Sequence, residues 1–428
     1  MSRELLHVLY GDEIIATLEY DRNKDAVSLT YDDSWRFGTN GFPMSLSLPL
    51  SKKAHPDNAI RTFLQGLLPD NTGVMEAWGK RFQVSPRNPF DLIKHVGEDC
   101  AGALQFIRPE RLEPILSGQL DSLIPLTELS LAERLEAIIS QSAAIPTFIE
   151  GRFSLAGAQA KDALHQKEGN WFVPCGRIPT THILKPELGG IAHHALNEHF
   201  CLQLAAAIGL PSAQSTIMAI GGRKVFCVKR FDRVDSKITG NALRIHQEDT
   251  CQALGCSPGN KFQNDDGPSA ADIVRLLDRF SNDPADDVVR FTMALALNWI
   301  IAGTDAHSKN FSLLHARGSA LRLAPLYDLA SWLPYERDTN SSKVKLAMKI
   351  GGTYRLHEID GVRWRKWADE AGLSGDGVIE MVNLTVHRVI ESLPVLRNSM
   401  LEAHDDPFVD KLATLITERA LKCEAALG

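Results

Sequence analysis

The sequence predicts a two-lobed α+β fold with a further small α+β unit at its N-terminus, and three observations carry that prediction. Residues 303–310, Gly-Thr-Asp-Ala-His-Ser-Lys-Asn, stand between an apolar helix-like run (Phe291 to Ala302) and a short strand-like run (Phe311 to Leu314). Asp305 precedes Asn310 by five residues, the spacing of the base and the metal-binding Asn in a kinase catalytic loop. Strand-like segments around one strong helix fill residues 145–240, whereas residues 241–428 are mostly helical in pattern. Together these describe a bilobal, protein-kinase-like α+β core.

Within the first hundred residues, Leu5 to Leu9 and Glu13 to Leu18 alternate like strands about the turn Tyr10-Gly-Asp. Phe42 to Leu50 has apolar residues at alternating positions, which predicts a further extended strand. Ile60 to Leu68 and Pro89 to His95 read as helices. Residues 108–126, with Pro109, Pro114 and Pro125, are the best linker candidate, so an accessory domain is expected over 1–115 and a catalytic domain over 116–428. Ser130-Leu-Ala-Glu133 has the form of a capping box, and Leu131, Leu135, Ile138 and Ile139 would line one helix face. Strands are expected near Trp171–Val173, Thr181–Leu184, Ser215–Ala219 and Lys224–Val228, and a helix over Ala192 to Ile208, stopped by Gly209 and Pro211.

Composition narrows the class. The 428 residues, 44% hydrophobic and 23% charged, suit a globular protein with a large core. A formal charge of −7 argues against a free-standing nucleic-acid binder, which needs a basic surface. Seven dispersed cysteines form no C-x-x-C pair and suit free thiols in a reducing cytoplasm. The start shows no charged n-region followed by a long apolar core, and the longest apolar stretch, near 291–303, is too short to span a membrane. A cytoplasmic location without a membrane partner is the expectation.

Phosphoryl transfer needs a cradle for phosphates, a metal to neutralise charge, and a carboxylate to orient the attacking hydroxyl. Asp305 is the candidate carboxylate; its competing reading is a turn Asp in ordinary loop chemistry. Leu323-Ala-Pro-Leu-Tyr-Asp328 ends another apolar run, and a hairpin returning Asp328 beside Asn310 would create an oxygen-rich Mg²⁺ site. His307 is placed to brace the loop or touch the γ-phosphate, and Lys309 to neutralise phosphate or be merely solvated. Ser308 and Tyr327 flank the same groups and are counted with the nucleotide site. Asp305-Ala-His307 also has the form of a metal pair in a metallophosphoesterase, which needs more His and Asp partners; His193-His194, His246 and His315 exist, but no Gly-Asn-His-type partner segment does.

Lys185 ends a strand-like run where a lysine reaches nucleotide phosphates, and Glu198 on the next helix is its candidate partner; a solvated strand end is the alternative. Ser154-Leu-Ala-Gly-Ala-Gln-Ala-Lys161 is small and polar, yet with one Gly it matches neither phosphate-loop pattern and by itself reads as a plain turn. Cys227-Val-Lys-Arg-Phe-Asp232 is either an adenine-binding hinge or a simple strand end. His246-Gln-Glu-Asp249 reads as an acidic helix start with no assigned chemistry.

Taken together, these segments resemble the HipA-type serine/threonine kinase toxins of bacterial toxin–antitoxin modules. The resemblance also includes Asn197-Glu198, Leu346-Ala-Met-Lys-Ile-Gly-Gly352, Pro43 to Pro49, Leu67-Leu-Pro-Asp-Asn71 and Val96-Gly-Glu-Asp-Cys-Ala-Gly102, and so covers nearly the whole chain. It implies ATP and Mg²⁺ as cofactors, Asp305 as catalytic carboxylate, Asn310 and Asp328 as metal ligands, and Lys185 on the phosphates. It further implies that the backbone of Lys229, Arg230 and Phe231 receives adenine, and that Ala156, Gly157, Ala158, Gln159, Ala160 and Lys161 cover the nucleotide. Autophosphorylation maps onto Ser154. Lys229 departs from the Glu common at that hinge position, which bears on nucleotide preference. The partners implied are a small HipB-like helix-turn-helix antitoxin, DNA only through it, and a protein substrate such as an aminoacyl-tRNA synthetase. A lipid or small-molecule kinase, and a catalytically silent antitoxin-binding co-repressor, are the competing functions.

Overall fold

The computed structural model describes residues 3–140, 154–157, 159–187, 191–236, 242–335 and 343–428. Its contacts divide into two compact units: residues 1–186, 218–259 and 313–321 in the first, and 187–217, 260–312 and 322–428 in the second.

In the first unit, strands β1 (Arg3–Tyr10), β2 (Glu13–Asp21), β3 (Ala26–Tyr31) and β4 (Leu104–Ile107) form a sheet in the order β3-β2-β1-β4. Helices Asp57–Gly66 and Pro89–Val96 present Ile60, Phe63, Leu64, Phe90 and Ile93 to a core shared with Leu6, Val8 and Leu18. Each such side chain, removed from water, contributes about 1.5–3 kcal/mol. The expected strand over Phe42 to Leu50 is absent. Phe42, Met44 and Leu48 are buried, but so is Ser45, and Leu48 N–H turns back onto the Ser45 carbonyl at 2.9 Å. Apolar alternation here reflects a coiled path over the core rather than a pleat.

A second sheet, in the order β5-β7-β6-β8-β10-β9, comprises β5 (Ser122–Leu126), β6 (Asp162–Lys167), β7 (Asn170–Cys175), β8 (His182–Pro186), β9 (Ser215–Ile220) and β10 (Arg223–Lys229). The linker expected over 108–126 is instead ordered: Pro109–Leu116 is a helix and β5 an edge strand. Pro109 stands at the helix start, where its missing N–H is harmless, and Pro125 sits on an edge where one face of the backbone needs no partner. Helix Glu128–Ile139 covers one side of the sheet through Leu131 and Leu135. Its cap is Thr127, which accepts from Ser130 N–H at 3.1 Å, so the helix starts one turn earlier than the capping-box reading placed it. Arg134 on this helix grips Asp162 of β6 through two bonds of 2.9 and 3.1 Å, both side chains buried. Short strands β11 (Arg233–Asp235) and β12 (Ala242–Arg244) pair with each other, and β13 (His246–Asp249) joins the hairpin β14 (Ser312–Ala316) and β15 (Ala320–Leu323). The segment expected to be an acidic helix start is the strand β13; only its last residue, Asp249, caps the helix Thr250–Ala253, in a reciprocal box with Gln252.

The second unit is mainly helical: His194–Ala207, Ala270–Phe280, Pro284–Ile301, Gly361–Ala371, Gly375–His404 and Pro407–Leu427. Helix Pro284–Ile301 is buried on every side from Phe291 onward, as its apolar run, interrupted only by Thr292 and Asn298, requires, with Trp299 packed edge-on against Trp364. Among the described residues no helix is long and apolar enough to cross a membrane, and no disulfide joins the seven cysteines.

Candidate functional site

In the second unit, helix Pro284–Ile301 ends on Ala302 in the left-handed region (φ 53°), and Gly303 N–H closes the last turn on the Asn298 carbonyl at 2.7 Å. A Cβ at Gly303 would lie 2.1 Å from Asn298 Oδ1, so any larger residue here would force the Asn298 side chain to shift. The chain then enters the 303–310 loop. His307 N–H reaches the Asp305 carbonyl at 2.8 Å, and Asn310 Nδ2 donates to the same oxygen at 2.7 Å. That bond commits the nitrogen end of the Asn310 amide, so its carbonyl oxygen is the end a cation could take. The Asp305 side chain itself is 69% exposed, whereas His307, Ser308, Lys309 and Asn310 are buried.

The segment carrying Asp328 is brought back to this loop. Ala324 N–H bonds the Ser312 carbonyl at 2.8 Å, and the Tyr327 hydroxyl reaches the Lys309 carbonyl at 2.6 Å and Ser312 Oγ at 2.7 Å. Asp328 has φ 56°, a left-handed conformation that a non-glycine residue adopts at a cost of order 1–2 kcal/mol per residue. Three residues on, Ser331 is clamped by Asn197 of helix His194–Ala207, whose amide donates to its carbonyl at 2.7 Å and accepts its N–H at 2.9 Å. Trp332 N–H bonds the Ala302 carbonyl at 3.2 Å, so the segment is tied at both ends. An amide oxygen on Asn310 and a carboxylate on Asp328 are the hard donors Mg²⁺ takes, with phosphates and water completing its shell. The residues fit the ion.

His307 is held neutral: burial first, then Lys261, push its ring down to about 4, with Asp328 pulling the other way. Its ring meets Phe262 edge-on at 4.8 Å, and Ser308 Oγ donates to the Lys261 carbonyl at 2.9 Å. Both contacts brace the loop, and a neutral imidazole adds no positive charge for a phosphate. Lys309 is 5% exposed, which removes the solvated reading.

The first unit holds the other group of expected residues. Lys185 lies on β8, buried, opposite Phe226 of β10, with its ammonium 5.4 Å from that ring. Where β10 ends, Arg230 N–H bonds the Thr181 carbonyl at 2.9 Å, and its buried guanidinium grips Asp232 at 2.7 and 2.9 Å. Lys229 pairs with exposed Asp235 at 2.8 Å, which neutralises the cation that departs from the expected hinge pattern. Phe231 follows in a turn, half-buried.

Ser154 is fully buried, its hydroxyl donating to the Leu67 carbonyl at 2.7 Å and its N–H to the Asp99 carbonyl at 2.9 Å. Gly157 bridges to Pro69, and Lys161 Nζ folds back onto the Ala156 carbonyl at 2.5 Å. Gln159 and Ala160 lie between them, and Ala158 lies outside the described residues. The three groups Asp305, Asn310 and Asp328 thus fall within one unit, and Ser154 to Lys161, Lys185 and Lys229 to Phe231 within the other; Glu198, buried on helix His194–Ala207, belongs to the former. Asn197 and Asp99 were missed as supports of the site, although both stand in motifs that the sequence singled out.

The family description "HipA-like C-terminal domain" matches residues 153–393, and "HipA N-terminal domain" matches 6–107. Y4mE of Sinorhizobium fredii is 35% identical over 413 residues, spanning 96% of this chain and 95% of its own. The serine/threonine-protein kinase toxin HipA of Shewanella oneidensis is 29% identical over 442 residues, 99% of this chain and 96% of its own. A solved complex of HipA, HipB and operator DNA from Shewanella oneidensis aligns with a TM-score of 0.83 at 27% identity, covering 98% of this chain and 97% of that one.

Proposed function

The chain belongs to the HipA family, and on that footing we propose that it is an ATP- and Mg²⁺-dependent protein serine/threonine kinase in which Asp305 orients the attacking hydroxyl. The observation that carries the reading is the Tyr327 hydroxyl on the Lys309 carbonyl, which seats the Asp328 segment on the loop of Asp305 and Asn310. Exposure of the Asp305 carboxylate, amid neighbours that are buried, suits a group that must meet a protein substrate.

Asn310 and Asp328 would hold the metal through oxygen. Bound there, Mg²⁺ supplies charge neutralisation on the transferring phosphoryl group. Lys185 would place a cation for the phosphates, and the backbone of Lys229 to Phe231 would receive adenine beyond the Arg230 N–H already given to the Thr181 carbonyl. Asp305 accepts a hydrogen bond from the incoming hydroxyl and takes its proton as that oxygen bonds to the phosphoryl group and the nucleoside diphosphate leaves, while the buried, neutral His307 keeps the loop in shape.

The relation to the Shewanella toxin makes a HipB-like helix-turn-helix antitoxin the partner, with DNA reached through it; the formal charge of −7 agrees with indirect contact. The target is a translation protein of the aminoacyl-tRNA synthetase class. Ser154 is the site of self-modification, and its burial means that the loop must lift before the hydroxyl accepts phosphate. A phosphoserine carrying about −1.5 to −2 charge cannot return to that dry position, so activity falls.

The test is incubation of phosphatase-treated protein with Mg²⁺-ATP, followed by phosphopeptide mapping, with Asp305→Ala alongside. Phosphate on Ser154 in the wild type alone is expected. Equal labelling of Asp305→Ala removes the catalytic assignment, and turnover of a small hydroxyl compound without protein labelling moves the function to a small-molecule kinase.

A further inference from the structure

Four charged side chains are buried together in the first unit, Asp99, Asp232, Arg230 and Arg233, with half-buried Arg244 at their edge. Buried ion pairs are weak evidence for stability, because desolvation offsets attraction. What this cluster touches is more informative. Asp99 Oδ1 accepts from Arg233 and Arg244, each at 2.9 Å. Its Oδ2 accepts the Thr180 N–H at 2.9 Å and the Thr180 hydroxyl at 2.7 Å. The Thr180 hydroxyl in turn accepts from Arg230 Nη1 at 2.8 Å, and Arg230 Nη2 donates to the Cys100 carbonyl at 2.8 Å. On its backbone side, Asp99 offers its carbonyl to Ser154 N–H at 2.9 Å.

Asp99 therefore stands between two segments far apart in sequence: the start of the 154–161 loop and the strand end 229–231. Burial alone would raise its carboxyl, but Arg244, Arg233 and Arg230 outweigh that and hold it ionised, well below the usual carboxylate range. The loop that carries it is locked in place. Gly102, at φ 82°, leaves no room for a Cβ, which would meet Gln247 N at 2.7 Å, and its N–H donates to Asp232 at 2.7 Å.

We propose that Asp99 is a positioning residue for the nucleotide, fixing the spacing between the covering loop and the adenine hinge through Thr180 and Arg230. The assignment rests on the kinase reading above and adds that residues of the N-terminal segment are part of nucleotide recognition. It acts through other residues, so its signature is weakened ATP binding with the transfer step retained.

Asp99→Asn is the direct variant, but it strands buried arginines and can prevent folding. Thr180→Val removes only the hydroxyl that joins Asp99 to Arg230, and Thr180→Ser restores it. The probes are a fluorescent ATP analogue for affinity and phosphate transfer for KM and kcat, with circular dichroism as the check on folding. Thr180→Val is expected to weaken nucleotide affinity and raise KM for ATP about five- to tenfold, the effect of one or two lost hydrogen bonds, with kcat within about twofold and recovery in Thr180→Ser. A folded Thr180→Val with wild-type affinity and KM, or one that loses kcat at unchanged KM, overturns the proposal. Asp305→Asn separates the two claims: if it transfers phosphate like the wild type, the kinase reading fails, while the affinity arm still decides the role of Asp99.

Discussion

The 303–310 loop and the 154–161 loop are held in opposite ways. The first is tied mostly by its own backbone and by the hairpin that follows it, Asn310 to Asp305, Tyr327 to Lys309 and Ser312 to Ala324, with one longer tie from Ser308 to Lys261, 47 residues back. The second is tied across long stretches of chain, Ser154 to Leu67 over 87 residues and Gly157 to Pro69 and Asp70. A loop built from local bonds keeps its shape whenever its own unit is folded. One pinned by a few distant bonds can leave its place for the loss of those few, each worth about 1 kcal/mol. On the proposed reading, the first arrangement suits a catalytic carboxylate and the second a cover over an exchanging nucleotide.

Four substitutions or conditions probe this contrast, in descending order of expected effect. Asp328→Asn or Asn310→Ala should lower phosphate transfer roughly 10- to 100-fold at limiting Mg²⁺, by analogy with lost metal-site contacts, with partial recovery as Mg²⁺ is raised. A Mg²⁺ titration of the transfer rate checks it; equal losses at all concentrations would remove the two residues from the metal site. Gly303→Ala should destabilise the protein by about 1–3 kcal/mol, since the new methyl overlaps Asn298, and denaturant midpoints measure it.

Acid should act on the catalytic loop before the covering loop. His307 has its folded value pushed from 6.5 down to about 4, so the neutral ring's contribution is complete above pH 6.5 and is lost as pH falls towards 4. Transfer activity and thermal stability should decline through that window, and His307→Gln should flatten the stability decline. An unchanged acid limb in the variant would assign the effect to other buried histidines, such as His199 or His182, both also pushed down to about 4 by burial. The smallest effect belongs to Ser154→Ala, which strands the Leu67 carbonyl and should cost about 1 kcal/mol. Its readout is faster hydrogen exchange over 154–161, with 303–310 unchanged.

The same contrast explains what could be read from the chain. The 303–310 loop, its helix and its hairpin were legible because a spacing of five residues and two apolar runs are local signals, and the return of Asp328 followed from one turn between two strands. By itself the 154–161 segment looked like a plain turn, since its partners lie in other motifs and only the resemblance gave it a role. Phe42 to Leu50 misled because its apolar residues alternate along the sequence while burial does not: Ser45 is buried beside Met44, and Leu46 and Leu50 are only half-buried. The prolines of 108–126 suggested a linker, although Pro109 and Pro125 occupy positions that helices and edge strands tolerate. The Asp99 cluster was illegible for a simpler reason: Asp99 and Arg233 are separated by 134 residues, and no local pattern marks a charge as buried.

The central claim is a division of labour, with chemistry at Asp305 and nucleotide phosphates at Lys185. Measuring ATP-analogue affinity and phosphate transfer on Asp305→Asn and Lys185→Met, beside the wild type, tests it most directly. Asp305→Asn should bind nucleotide within about threefold of wild type while transfer falls by about 10²–10⁴, and Lys185→Met should lose affinity as well as rate. Wild-type transfer by Asp305→Asn would contradict the account.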